Sequence, residues 1–135
     1  MSVSEANAQL GAVKVGGDWI SSSLIAGIDS VGGRVGDGND VKAAGGAPDP
    51  NAFSKIASIT IGGQVLGTVG EPNRAFGFGA EFIGSFKVGG SALALKPGAH
   101  NDTFAGAGLV GDAIGVGATP GGIVNDGVAV HVFEV

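Results

Sequence analysis

Three Asn-Asp pairs follow Gly-rich turns in this chain. They are Asn39-Asp40 in Gly36-Asp37-Gly38-Asn39-Asp40-Val41, Asn101-Asp102 in Gly98-Ala99-His100-Asn101-Asp102-Thr103-Phe104, and Asn125-Asp126 in Gly121-Gly122-Ile123-Val124-Asn125-Asp126-Gly127-Val128. Asn and Asp side chains hydrogen-bond to nearby backbone, so such pairs read first as turn formers. Asp37 and Asp40 also place two carboxylates on one loop. Other chemistry is thin. The only histidines are His100 and His131, and cysteine is absent, too few donors for a three-histidine or thiolate zinc site. Ser21-Ser22-Ser23 has no nearby base. Glu71, Glu81, Asp112 and Arg74 are spread over loops and assemble no paired carboxylates of the kind a glycosidase needs. Gly106-Ala107-Gly108-Leu109-Val110-Gly111 matches G-x-G-x-x-G, but the following Asp112-Ala113-Ile114-Gly115-Val116-Gly117 is too rich in glycine for the helix a dinucleotide site requires. The chain reads as non-catalytic.

The elements that must position these residues are organised by a repeated seven-residue phrase. It occurs as Gly11-Ala12-Val13-Lys14-Val15-Gly16-Gly17, Ala57-Ser58-Ile59-Thr60-Ile61-Gly62-Gly63 and Gly84-Ser85-Phe86-Lys87-Val88-Gly89-Gly90. Alternation puts the two apolar residues on one face and Lys or Thr on the other, the pattern of a half-buried strand. The Gly-Gly that follows suits a sharp turn. The spacing predicts strands near 12–16, 58–62 and 85–89, with Val15, Ile61 and Val88 inward and Lys14, Thr60 and Lys87 in a solvated outer ladder. A degenerate fourth copy is expected at Ala26-Gly27-Ile28-Asp29-Ser30-Val31-Gly32-Gly33. The apolar stretches Trp19-Ile20, Leu24-Ile25, Val65-Leu66 and Leu93-Ala94-Leu95 read as the next strand of each coil, with Trp19 a core residue. Phe76 to Ile83 alternates in its first half, and Val128 to Val135 is a regular strand with His131 on its solvent face. Segments around Pro48-Asp49-Pro50, Glu71-Pro72-Asn73, Lys96-Pro97-Gly98 and Thr119-Pro120-Gly121 are loops or turns.

The chain has 135 residues, 28 of them Gly, with 44% hydrophobic and 14% charged residues. That balance is opposite to a disordered chain and supports one folded domain, residues 1–135, with 1–10 as an N-terminal extension. The predicted fold is all-β, a parallel β-solenoid of irregular coils, with a Gly-rich β-sandwich as the competing arrangement. The net charge is −5 and no Lys/Arg cluster exists, which argues against nucleic acid or an anionic membrane as partner. No apolar run is long enough for a membrane span. The first residues carry neither a basic nor an apolar signal region, so the expectation is a protein that stays inside, a fragment of a longer chain, or export by another signal.

The first two Asn-Asp segments resemble single turns of the calcium-binding nonapeptide of RTX (hemolysin-type) proteins. The resemblance implies calcium held by carboxylate and carbonyl oxygens, with Asp37, Asn39 and Asp40 as ligands and Asn101 and Asp102 next. The copies here are not in tandem, and His100 stands where that pattern has Gly. The phrases VKVGGDWI, IASITIGGQVLGT, FGFGAEFIGSFKVGG and NDTFAGAG resemble the Gly-rich repeat regions of very large bacterial surface and secreted proteins. That likeness implies an extracellular scaffold, adhesin or self-assembling fibre, joined end to end as a homo-oligomer through uncapped solenoid ends. The alternative is a calcium-dependent adhesion module that binds carbohydrate or a surface partner through the long loops at 34–55 and 96–108.

Overall fold

The computed structural model describes residues 2–3, 6–20, 22–31, 35, 39–45, 52–66, 76–104, 123–124 and 130–135. All the regular structure among them is β. In chain order the strands are β1 (Ser2–Val3), β2 (Gln9–Val15), β3 (Trp19–Ile20), β4 (Leu24–Ala26), β5 (Ile28–Asp29), β6 (Val41–Lys42), β7 (Lys55–Ile61), β8 (Val65–Leu66), β9 (Phe76–Ala80), β10 (Phe82–Ile83), β11 (Phe86–Val88), β12 (Ser91–Ala92), β13 (Thr103–Phe104), β14 (Ile123–Val124) and β15 (Val130–Glu134).

The three copies of the phrase lie side by side, parallel and in register. Val13, Lys14 and Val15 of β2 pair with Ile59, Thr60 and Ile61 of β7, and these pair with Phe86, Lys87 and Val88 of β11. Ile59, Ile61, Phe86 and Val88 are buried, Val13 and Val15 are half-buried, and Lys14 and Lys87 are exposed. The apolar and polar positions therefore separate to opposite faces as the alternation requires. β2 and β7 begin earlier than expected, at Gln9 and Lys55, and β7 bends at the first residues of the phrase. Ile56 and Ile59 are both in the core, while Ala57 between them is exposed and Ser58 half-exposed. A straight strand would turn every second residue to one face. The partner strand breaks at the same place: β10 pairs with Lys55–Ile56 and β11 with Ile59–Ile61, leaving Gly84 and Ser85 opposite the bend. A Cβ on Gly84 would strike the Ala57 carbonyl. The two small residues that open each phrase thus stack on the exposed side of a corner.

The same order of stacking holds in two further sheets. β3, β8 and β14 are parallel neighbours, with Trp19, Val65 and Ile123 in line. β4, β9 and β15 are parallel neighbours as well, with Leu24, Phe78 and Val132 in line, and β1 adds to β4 on the other side. Between the first two sheets the Gly-Gly corners stack through backbone hydrogen bonds, Gly62 N to Val15 O at 2.7 Å and Gly63 N to Gly17 O at 2.9 Å. Asp18 accepts from Gln64 N at 2.8 Å across the same corner. Neither Gly of these corners has positive φ. What they supply is room, since a Cβ on Gly62 would lie 2.7 Å from Gly16 O.

Three expectations are corrected. Gly89 and Gly90 do have positive φ, 55° and 85°, and reverse the chain in a two-residue hairpin, so β12 returns antiparallel on β11. Positive φ at both turn residues is what such hairpins require and what glycine provides. Leu93-Ala94-Leu95 consequently does not follow β11 as β8 follows β7; Ile123–Val124 takes that place beside β8. The supposed fourth phrase is a short hairpin, with Ile28–Asp29 antiparallel to Val41–Lys42; its Gly32-Gly33 lies outside the described residues. The C-terminal strand is not a bare edge, because β13 pairs antiparallel with its outer side, Thr103 with Phe133 and Phe104 with Val132.

The core fills the space enclosed by the three sheets. Leu24, Ile56, Ile59, Ile61, Phe78, Phe86, Val88, Val130 and Val132 are buried there. Phe78 meets Phe86 edge-on at 4.9 Å and the Trp19 ring at 5.2 Å. Trp19 packs against this core, as expected, and its Nε1 donates to Ser22 O at 2.8 Å. A second cluster, Ile25, Ile28 and Phe133, covers the outer face of β4, β9 and β15. The Phe133 ring lies over Gly77 and Gly79, which explains glycine at alternate positions of β9.

Candidate functional site

The densest polar constellation is a corner built around Glu81, between β9 and β10. Glu81 interrupts an apolar run, Phe78 to Ile83, and is only 2% exposed. A buried carboxylate needs donors, and they come from both long loops. Ser54, buried just before β7, donates its N–H to Glu81 Oε2 at 2.7 Å, and its hydroxyl accepts from Glu81 N at 3.1 Å. Lys42 Nζ of β6 is 3.0 Å from Oε1. His100 Nε2 is 3.7 Å from the same oxygen, and His100 N donates to Glu81 O at 2.9 Å. His100 holds φ at 59°, unusual for a residue with a side chain, and its Nδ1 meets the carbonyl oxygen of Val135.

Burial alone would push the Glu81 carboxyl up. The Ser54 N–H, the hydrogen bond and charge of Lys42 and the Ser54 hydroxyl outweigh it, and the carboxyl sits below its ordinary range. Around it, Phe53 packs 6.1 Å from both the Phe82 and His100 rings, and Lys55 Nζ lies 5.1 Å from the Phe82 centroid. Glu134 makes a parallel clamp: its Oε1 accepts from Ile83 N at 2.8 Å and its Oε2 from Asn101 N at 3.0 Å.

The residues singled out as calcium ligands are not brought together by these contacts. Asn101 and Asp102 serve the segment that crosses beside Glu134. Both Asp102 carboxylate oxygens face Lys96 N, at 3.2 and 2.9 Å, and Asn101 Nδ2 donates to Pro97 O at 2.9 Å. Asn39 is exposed and Asp40 half-buried, directly before β6. Asp37, Asn125-Asp126 and the Gly106 to Gly111 motif lie outside the described residues. Among the described residues no group of three or more His, Asp or Glu is placed to hold a metal ion.

Reading the sequence missed the Glu81 corner. The usable signal was the lone acid in Ala80-Glu81-Phe82-Ile83, because an acid inside an apolar strand must find partners. Chemically the corner is a clamp. The Ser54 hydroxyl is buried and already accepts a backbone N–H, and the Glu81 oxygens are occupied by donors. No helix among the described residues is long and apolar enough to cross a membrane. No protein-family model matches the chain, and comparison with curated proteins and with solved structures finds no significant similarity.

Proposed function

We propose that the chain is a non-catalytic structural module, a β-solenoid of stacked coils that serves an extracellular scaffold or adhesin. The observation that carries this reading is the threefold recurrence of one pairing order: β2, β7, β11; β3, β8, β14; and β4, β9, β15. A chain that repeats one strand-corner-strand unit makes each coil the template for the next. The extracellular role rests on the likeness to Gly-rich bacterial repeat regions. Association occurs through the end formed by β2 and β3. Among the described residues β2 pairs with β7 alone and β3 with β8 alone. Their apolar residues stay partly open, with Leu10, Val13 and Val15 half-buried and Ile20 56% exposed. Val130 and Val132 of β15 are the wrong places to test association. Both are buried in the core, so Pro or Asp there would unfold the chain instead of separating copies.

Because the chain has no cysteine, coil stacking is testable with introduced pairs. Lys14→Cys with Thr60→Cys joins register partners on neighbouring strands, about 4.8 Å apart, within reach of a disulfide. Lys14→Cys with Lys87→Cys spans two strand spacings and is out of reach. The first pair should oxidise readily with unchanged circular dichroism, and the second should not. Failure of the first, or equal oxidation of both, would sink the stacked-coil reading.

The binding alternative is separated by calcium. If Asp37, Asn39 and Asp40 bound it in the folded state alone, millimolar Ca²⁺ at a hundred times Kd would add about 2.7 kcal/mol. The structural reading expects the same thermal melt in calcium and in chelator. A calcium-dependent rise would move the assignment to the adhesion module.

A further inference from the structure

The two ends of the stack differ. At the end formed by β11 and β15, one continuous segment, Ser91 to Phe104, crosses from one sheet to the other. It begins as β12 on the outer edge of β11. Leu93 is then buried in the main core with Leu95 packed against it, and Leu93 N donates to Phe86 O at 2.9 Å. The segment is tied to the next corner by His100 N to Glu81 O at 2.9 Å and by Asn101 N to Glu134 Oε2 at 3.0 Å. It ends as β13 on the outer edge of β15, where Glu134 N donates to Asp102 O at 2.8 Å. At the opposite end no described strand crosses β2 and β3 in this way.

We propose that Ser91–Phe104 is an autoinhibitory cap over a latent head-to-tail interface, whose occupant is the β2 edge of a second copy. This rests on the stacked-coil reading. The occupant follows from the internal register. β2 stacks on β7, and β7 on β11, with Lys14, Thr60 and Lys87 in line. The position that continues this series is the outer edge of β11, now held by β12. Beside it, β13 holds the edge of β15 and β1 holds the outer edge of β4, so the contact is carried by β2 on β11. A second copy offers a strand of the same phrase in the same parallel sense, and its half-buried Leu10, Val13 and Val15 would cover the core where Leu93 and Leu95 now sit. Heterologous contacts of this kind extend into open filaments when the rotation does not close. With the cap in place, β2 and β3 are the edges left open among the described residues, and growth stops at small assemblies.

The test is sedimentation and negative-stain imaging of the full chain. Asn101→Pro with Phe104→Pro removes the N–H that Glu134 accepts and a ladder donor of β13. Glu134→Gln is the milder variant; it leaves one acceptor oxygen for two backbone donors. The wild type should sediment as discrete small species. Both variants should shift toward an open series of larger species and fibres, the double-proline variant further. Adding Lys14→Pro should abolish growth, because Val15 O accepts from Gly62 N of the β7 side and the alternate residue Lys14 therefore turns its N–H to the outer edge of β2. Adding Lys87→Cys with Ala92→Cys, register partners in the exposed hairpin, should suppress growth when oxidised and restore it when reduced.

Filaments from the wild type would overturn the cap while leaving the structural-module reading intact. A folded variant, judged by an unchanged cooperative melt, that sediments like the wild type would also overturn it. Where the double-proline variant does not fold, Glu134→Gln decides by the same criterion. Growth that ignores Lys14→Pro or the oxidised hairpin would reject β2 as occupant. Failure of the Lys14/Thr60 disulfide, in contrast, removes the reading on which the cap rests.

Discussion

Phe78→Ala is expected to remove about 3–5 kcal/mol of stability, the usual cost of emptying an aromatic site in a core. Phe78 is fully buried at the middle of β9, aligned with Leu24 of β4 and Val132 of β15. Its ring meets Phe86 edge-on and Trp19 at a tilt, so one truncation withdraws contacts from all three sheets at once. Domains of this size are stable by roughly 5–15 kcal/mol, so the variant should lose a large share of its folded population on mild heating. Phe82→Ala is the comparison. Phe82 is half-buried on the outer side, against Phe53 and Lys55, and its loss should cost clearly less. Urea unfolding followed by Trp19 fluorescence measures both. Equal costs would mean that the enclosed space between the sheets is not the main core.

Much of this arrangement was legible in the repeated phrase. Alternation assigns Val15, Ile61 and Val88 to one face and Lys14, Thr60 and Lys87 to the other, and repetition brings the three into register. What the pattern concealed was the meaning of its small residues. Gly11-Ala12, Ala57-Ser58 and Gly84-Ser85 look like neutral spacing, yet they are the stacked corner that lets Ile56 and Ile59 both face inward. The three Gly-Gly pairs are identical in sequence and differ in conformation. Gly16-Gly17 and Gly62-Gly63 continue the coil at φ values open to other residues, whereas Gly89-Gly90 takes positive φ and reverses it. Local sequence cannot choose between these outcomes, because the choice depends on whether another coil or a returning strand covers the edge of β11.

The polar corner was less legible for a related reason. Lys42, Ser54, Glu81 and His100 are far apart in sequence, and only the stacking of β9 and β10 against the start of β7 brings them together. Asn101 and Asp102 illustrate the converse. Their sequence reads first as a turn and second as a cation loop, and in the structure Asp102 accepts from Lys96 N and, through its carbonyl oxygen, from Glu134 N. The Asn-Asp motif and the Leu93 to Leu95 run therefore belong to one crossing segment, Ser91 to Phe104, although neither suggests it alone.

Glu81→Ala should cost about 1.5–3 kcal/mol, the range for a hydrogen bond to a charged acceptor. The loss comes mainly from Ser54 N, which would be left buried without its 2.7 Å partner. Lys42 adds little, since 46% of its side-chain surface is exposed and the pair is screened. Glu81→Gln keeps one acceptor oxygen and should cost less than Ala. The two substitutions also separate charge from shape through pH. The Glu81 carboxyl is lowered in the folded state, so its contribution is fully present above the unfolded carboxylate value and is lost as pH falls through the folded one. Lys42 is the cation against it, and its hydrogen bond and charge favour the ionised carboxyl and are lost once that carboxyl is protonated. Wild-type melting temperature should therefore fall across the acid range below the ordinary carboxylate value, and Glu81→Gln should lack that part of the fall. Parallel acid slopes for the wild type and Glu81→Gln would show that the clamp does not act through its charge.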